Sequence, residues 1–195
     1  MHAPRLVRLT PDPLPDRSDD ELMTLAQAGM REAFAVLVAR HAERLVRACS
    51  RFVHDAAAGA ELAQETWAAA WTTRAQYRAD GKFIVWLLTA ARNRCRNHLR
   101  HQRVAKTYAL GEGARSLEPT SSDQIELLLV EERRRRVHDA LSRLPARMRE
   151  ALVLRYAEEL HYDEMAGVLQ TGESTLRSRV HHGLRLLRGL LEKTR

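Results

Sequence analysis

From residue 18 onward the apolar positions recur three and four residues apart, and that spacing predicts helices almost throughout. Leu22, Leu25 and Ala26, then Phe34, Leu37 and Val38, then Leu45, Val46 and Cys49 predict two helices across residues 22–52, separated at Gly29. Ser18 followed by Glu21 predicts a capping box, hydroxyl and carboxylate each accepting from an orphan backbone N–H. A break at 54–59 leads to a helix over 61–77, with Leu62, Trp67 and Trp71 on or near its buried side, and Asp80-Gly81 predicts a turn. Residues 1–17, which hold Pro4, Pro11, Pro13 and Pro15, predict a disordered or extended arm.

The chain is organised around the next helix, at 81–103. At about 100° per residue, Ile84, Leu88, Ala91, Cys95 and Leu99 share one apolar stripe. Trp86, Thr89, Asn93, Arg96, Asn97 and Arg100 share the other side. No acidic residue occurs from Gly81 to Gly111, where Lys82, Arg92, Arg94, Arg96, Arg100, Arg103 and Lys106 are all basic. A solvated helix normally mixes charge signs, whereas a one-sign face with amides and an indole suits phosphates and bases. A basic surface helix without a ligand is the plainer alternative.

Residues 109–123, with Gly111, Gly113, Pro119 and a run of hydroxyl residues, interrupt the periodicity and predict a flexible linker. The remainder is again helical: 125–144, ending before Pro145; 148–157; a short helix at 161–169; a turn at 170–172; and a long helix over 173–191 with a buried stripe of Leu176, Val180, Leu184, Leu187 and Leu191. Short helix, tight turn and longer helix is the helix-turn-helix order. The second helix would present Glu173, Ser174, Thr175, Arg177, Ser178, His181 and His182, with Arg185 further along. Arg can bond guanine bidentately, and Ser or Thr can contact bases or phosphates. A plain helical bundle carries the same pattern. The expected fold is all-α: two small helical domains, at 18–108 and 124–195, joined by the linker.

Composition narrows the partners. A net charge of +7 favours a polyanion, nucleic acid first among them. Aromatics are only 5% of residues, so the cores must be aliphatic. No apolar run approaches the roughly 18 residues that span a bilayer, and the N-terminus lacks an apolar signal core, so a cytoplasmic location with no membrane insertion is expected. Cys49 and Cys95 form no C-x-x-C and read as buried thiols, and the nine His residues show no ligand spacing. No metal site, cofactor or catalytic constellation is expected, which argues against an enzyme.

Several short segments, taken in order, resemble one family. Residues 61–67 (ELAQETW), 83–87 (FIVWL), 91–93 (ARN) and 98–100 (HLR) are similar to sigma-2 of the extracytoplasmic-function (ECF) RNA polymerase sigma factors, in the sigma-70 family. Residues 144–147 (LPAR), 154–156 (LRY), 162–166 (YDEMA) and 175–180 (TLRSRV) resemble sigma-4. The resemblance implies a dissociable subunit that binds core RNA polymerase and initiates transcription from promoter DNA. It places core contacts at Glu61, Leu62, Gln64 and Glu65. It places −10 contacts at Tyr77, Lys82, Trp86, Asn93, Arg96, Asn97 and Arg100, with loop 77–82 in the family's base-capturing position. The sigma-4 helix-turn-helix would read the −35 element. With no sensory domain after residue 191, the resemblance implies control by a separate anti-sigma factor.

Three departures from the family pattern stand out. Ala60 replaces one of two usual acidic residues, and only Glu61 keeps the charge. Gln170, Thr171 and Gly172 replace the usual Gly, apolar residue and Ser of the turn, and Ser174 replaces a usual Gly. The promoter sequence therefore cannot be transferred from better-matched relatives. Two rival readings remain: a two-domain factor whose helix-turn-helix binds operators as a dimer, as response-regulator output domains do, and a helical adaptor that binds only protein.

Overall fold

The computed structural model describes residues 13–108 and 125–193, so the first twelve residues and the expected linker lie outside the described residues. All the regular structure among the described residues is helical. The elements are α1 (Asp19–Gln27), α2 (Arg31–Val53), α3 (Ala56–Thr73), α4 (Phe83–Tyr108), α5 (Ile125–Ser142), α6 (Ala146–Leu152), α7 (Tyr162–Leu169) and α8 (Glu173–Glu192).

Local chemistry sets most of the boundaries. The capping box forms: the Ser18 N–H donates to Glu21 Oε2 at 2.8 Å, and the Glu21 N–H donates to Ser18 Oγ at 3.3 Å. Those bonds from Ser18 hold the Glu21 carboxyl below its ordinary pKa. Gly29, at φ 100°, makes the corner between α1 and α2. The break expected over 54–59 is shorter. His54 ends α2 in the left-handed region at φ 64°, and the Asp55 carboxylate already caps α3 by accepting from the Ala58 N–H at 3.0 Å. Gly59 thus lies inside α3, where an added Cβ would stand 2.5 Å from Ser50 Cα and N. The α2 and α3 backbones touch there, and only glycine permits it.

The end of the expected arm is structured. Residues Leu14–Asp16 form a 3-10 turn, Leu14 packs on the core, and the Arg40 guanidinium donates to Pro15 O and Arg17 O at 3.0 Å each.

Helices α1 to α4 enclose Leu22, Met23, Leu37, Leu45, Phe83, Leu87 and Leu88, all almost wholly buried. Phe34 meets Trp67 and Trp71 edge-on at 5.7 and 5.2 Å. Cys49 and Cys95 are buried free thiols in contact across α2 and α4, and that contact, then burial, pushes the Cys95 pKa up. Helices α6 to α8 enclose Leu154, Met165, Val168 and Leu176. A π-helical stretch, Val153–Ala157, replaces the expected last turn of the helix at 148–157.

The stripe on α8 needs one correction. Leu184 is 39% exposed, and Gly183 is buried in its place, where an added Cβ would lie 3.2 Å from Leu152. At about 100° per residue, position 184 lies about 80° round from Leu176, whereas 183 lies only about 20° off it.

The two halves pack on each other through α4 and α7, and the buried apolar residues form one continuous cluster. The linker pattern predicts two domains without predicting this contact.

Candidate nucleic-acid interface

Helix α4 has its apolar stripe on α2 and α3, with Leu88, Ala91 and Cys95 buried. Lys82, Asn93, Arg96, Asn97 and Arg100 are exposed. Trp86 is half-buried, wedged against Tyr77 at 5.3 Å and Phe83 at 6.1 Å. Tyr77 is different. It is only 6% exposed, and its hydroxyl donates to the Asp20 carboxylate. Burial, then that bond, pushes its phenol above the ordinary pKa. Tyr77 therefore braces the loop in this conformation and offers no face to a base. The same Asp20 accepts from the Gly81 N–H at 2.6 Å, holding the 77–82 loop to the start of α1. Gly81, at φ 77°, lets the chain turn there.

The core-binding edge also divides. Glu61, Gln64 and Glu65 are exposed on α3, but Leu62 is 5% exposed and belongs to the core. Position 62 lies about 100° from 61 and about 160° from 64, on the side of α3 that packs on the core.

On α8, Glu173, Ser174, Thr175, Arg177, Ser178, His181, His182 and Arg185 are all exposed. Arg177 is pre-positioned. It donates to Glu173 Oε2 at 3.1 Å and lies 4.3 Å over the Tyr162 ring. Tyr162 was absent from the expected site; its place directly after the capping position of α7 gave no sign that it supports α8. Helix α7 begins with the His161 N–H donating to Glu164 Oε2 at 2.7 Å and ends at Gln170 in the left-handed region, φ 49°. That conformation explains how Gln170 stands where a Gly would be easier.

The lock between the halves went unseen in the sequence. Arg92, on the basic helix, is 7% exposed and turns away from solvent. Its Nε donates to Glu150 Oε2 at 3.0 Å and its Nη1 donates to Val168 O at 3.3 Å. Arg44 donates to the Glu158 carboxylate at 2.8 Å and to the Glu158 carbonyl at 2.7 Å, while Arg51 lies 3.6 Å from the same carboxylate. Glu158 is 3% exposed. His54 Nδ1 and His138 Nε2 stand 3.0 Å apart. Burial, then the charges of His138 and Arg149, lower His54 to about 4. Beside this lock a cleft of ≈ 790 Å³ opens between α4 and the second half, lined by Asn93, Arg96, Asn97 and Arg100 on one side and Arg147, Thr171 and Arg179 on the other.

Comparison with known proteins resolves what this two-faced arrangement belongs to. Residues 37–104 match the family Sigma-70 region 2, and residues 134–187 match Sigma-70, region 4. The RNA polymerase sigma-H factor of Pseudomonas aeruginosa is 33% identical over 175 residues, covering 86% of this chain and 90% of that protein. The chain belongs to the ECF sigma factors of the sigma-70 family. The ECF RNA polymerase sigma factor SigK of Mycobacterium ulcerans is 32% identical over 181 residues, covering 91% of this chain and 97% of that one. Among solved structures, CnrH in complex with the cytosolic domain of CnrY superposes with a TM-score of 0.67 at 26% identity, covering 90% of this chain and 97% of CnrH. Region 2 ends within α4 and region 4 covers α6 to most of α8, so the two exposed faces of this sigma factor fall one in each matched region.

Proposed function

We propose that this sigma factor binds core RNA polymerase through the exposed α3 edge of Glu61, Gln64 and Glu65, reads the −10 element with α4 and reads the −35 element with α8. Residues 18–108 and 124–195 act as separate units in the holoenzyme, joined by the linker, and the protein works in the cytoplasm as a non-enzymatic initiation factor. The observation that carries this reading is the row Asn93, Arg96, Asn97 and Arg100 on α4. All four are exposed on one flank and none is paired with an acid among the described residues. Asn93 and Asn97 can discriminate base edges, while Arg96 and Arg100 fit phosphates. Trp86, half-buried against Tyr77 and Phe83, would stack a displaced base once the loop moves.

The packed conformation is a resting one. By their position labels the −35 and −10 elements lie about 25 base pairs apart, roughly 85 Å along B-form DNA at about 3.4 Å per pair. Here α4 and one flank of α8 line a single cleft. Both elements can be read only after the halves separate, and core polymerase, gripping each half, supplies that separation. A separate anti-sigma factor that stabilises the packed form gives control; CnrH, solved with a bound CnrY domain, supports a partner of this kind.

The test is fluorescence anisotropy of promoter DNA with this protein alone, with core polymerase alone, and with both. Tight, sequence-dependent binding only with both is the expected result. Nanomolar binding by the protein alone, unchanged by core, would overturn the reading in favour of an operator-binding factor.

A further inference from the structure

The lock between the halves brings like charges together. Arg96 and Arg100 on α4 face the same cleft as Arg147 on α6 and Arg179 on α8. Arg92 is neutralised by Glu150, the one acidic residue of that lining. The other four guanidiniums make no hydrogen bond or ion pair with any described residue. Arg179 is half-buried, and the other three are exposed. Like charges gathered in a partly enclosed cleft repel more strongly than in open water. Such a gathering is relieved by an anion that reaches both walls.

We infer that the cleft between α4 and the α6–α8 face is a binding site for an oligophosphate anion, which clamps the sigma factor in its packed form. A guanidinium fork matches phosphate oxygens bidentately, so four forks fit a chain of several phosphates better than one isolated phosphate. A chain of phosphates carries charge enough for Arg96 and Arg100 on one side and Arg147 and Arg179 on the other. The cleft volume, ≈ 790 Å³, also lies within the range of nucleotide-sized sites. Asn93, Asn97 and Thr171 supply amide and hydroxyl groups beyond the guanidiniums, for whatever the chain is attached to. Bound there, the anion covers the face proposed for the −10 element, so it competes with promoter DNA directly and through closure. The inference rests on the packed arrangement and not on which promoter is read.

The ligand chemistry has two sources, inorganic oligophosphate and the phosphate tail of a nucleotide. The experiment is isothermal titration of the full-length protein with tripolyphosphate, and in parallel with ATP and AMP, at roughly physiological ionic strength. Energy transfer between dyes on α3 and α8 reports closure in the same samples. One saturable site per chain, with increased transfer, is expected for tripolyphosphate. Comparable binding of ATP assigns recognition to the phosphate chain alone, and tighter binding of ATP assigns a nucleotide. AMP should bind at least about tenfold more weakly than ATP, since it carries one phosphate for four guanidiniums. The double variant Arg147→Ala/Arg179→Ala should lose about tenfold or more in tripolyphosphate affinity. Circular dichroism checks that it folds. Several weak sites, no saturation, or an affinity unchanged in the double variant overturns the inference. Promoter-DNA binding by wild-type protein with core polymerase, in buffer free of nucleotides and oligophosphate, tests the sigma reading separately, so the two can fail independently.

Discussion

Helices α4 and α8 are both long, both basic on one side and both proposed to read DNA, yet the molecule treats them differently. The outward face of α8 stands in solvent, and its central Arg177 is tied only to neighbours in its own half, Glu173 and Tyr162. The polar face of α4 borders the interdomain cleft, and its Arg92 is spent on Glu150 and Val168 in the other half. One reading face is open and the other is half-covered. On the proposed reading, the −10 face is under the control of the interface, while the −35 face depends only on the integrity of its own small bundle.

The largest effect should come from destroying the platform under the open helix. Val180 is 4% exposed in the seam of α8, so Val180→Asp buries an unpaired carboxylate at a cost of several kcal/mol, roughly 3 or more. Loss of ellipticity and of −35 recognition, with α4 left intact, is the expected outcome by circular dichroism and footprinting. Next is the lock itself. Glu150→Ala leaves Arg92 buried without its carboxylate, which should weaken the interface by about 3 kcal/mol. Energy transfer between dyes on the two halves should fall, and Arg92→Met with Glu150→Leu should restore it. If Glu150→Ala leaves the halves together, the α4 face is not governed by this pair.

Arg177→Ala touches only the open face. It should cost about 1–3 kcal/mol on the cognate −35 element if Arg177 forks a guanine, and show as loss of preference across a set of −35 variants. Arg100→Ala should instead weaken open-complex formation about equally on all promoters, because a flank guanidinium meets phosphate. Unaltered −35 preference in a folded Arg177→Ala protein would remove α8 from the role of reader.

The smallest effect is pH-dependent. His54, at the end of α2, faces His138 and Arg149, with Asp139 opposing them. Its pKa falls from 6.5 to about 4 on folding, so the unfolded chain binds more protons between those values. The stability it lends is complete above about pH 6.5 and is lost as pH falls toward 4. Thermal melts should therefore drop across that window in the wild type and less steeply in His54→Asn, a residue that tolerates the left-handed backbone at that position.

Much of this was legible beforehand because it is local. The Ser18 capping box, the corner at Gly29, the turn at Gly81 and the alternation of faces on α4 and α8 each depend on residues within one or two turns of each other. The misreadings share a cause. Leu62 and Tyr77 stand among the expected site residues by motif position, yet both are buried, Leu62 on the inner face that periodicity already gives it and Tyr77 against Phe83 and Trp86. Leu184 falls outside a stripe that the helical period carries to Gly183 instead. Arg92 looks in the sequence like one more cation on a basic face, because its partner Glu150 lies 58 residues away.

The sequence by itself determined the helical class and the family, because periodicity, short-range capping and short motifs are properties of contiguous residues. Only the tertiary structure decided that the halves close on each other, that a basic residue of the reading helix is the latch, and that four further guanidiniums converge on one cleft. Those outcomes depend on pairing charges and filling volume between segments whose separation along the chain carries no information about their distance in space.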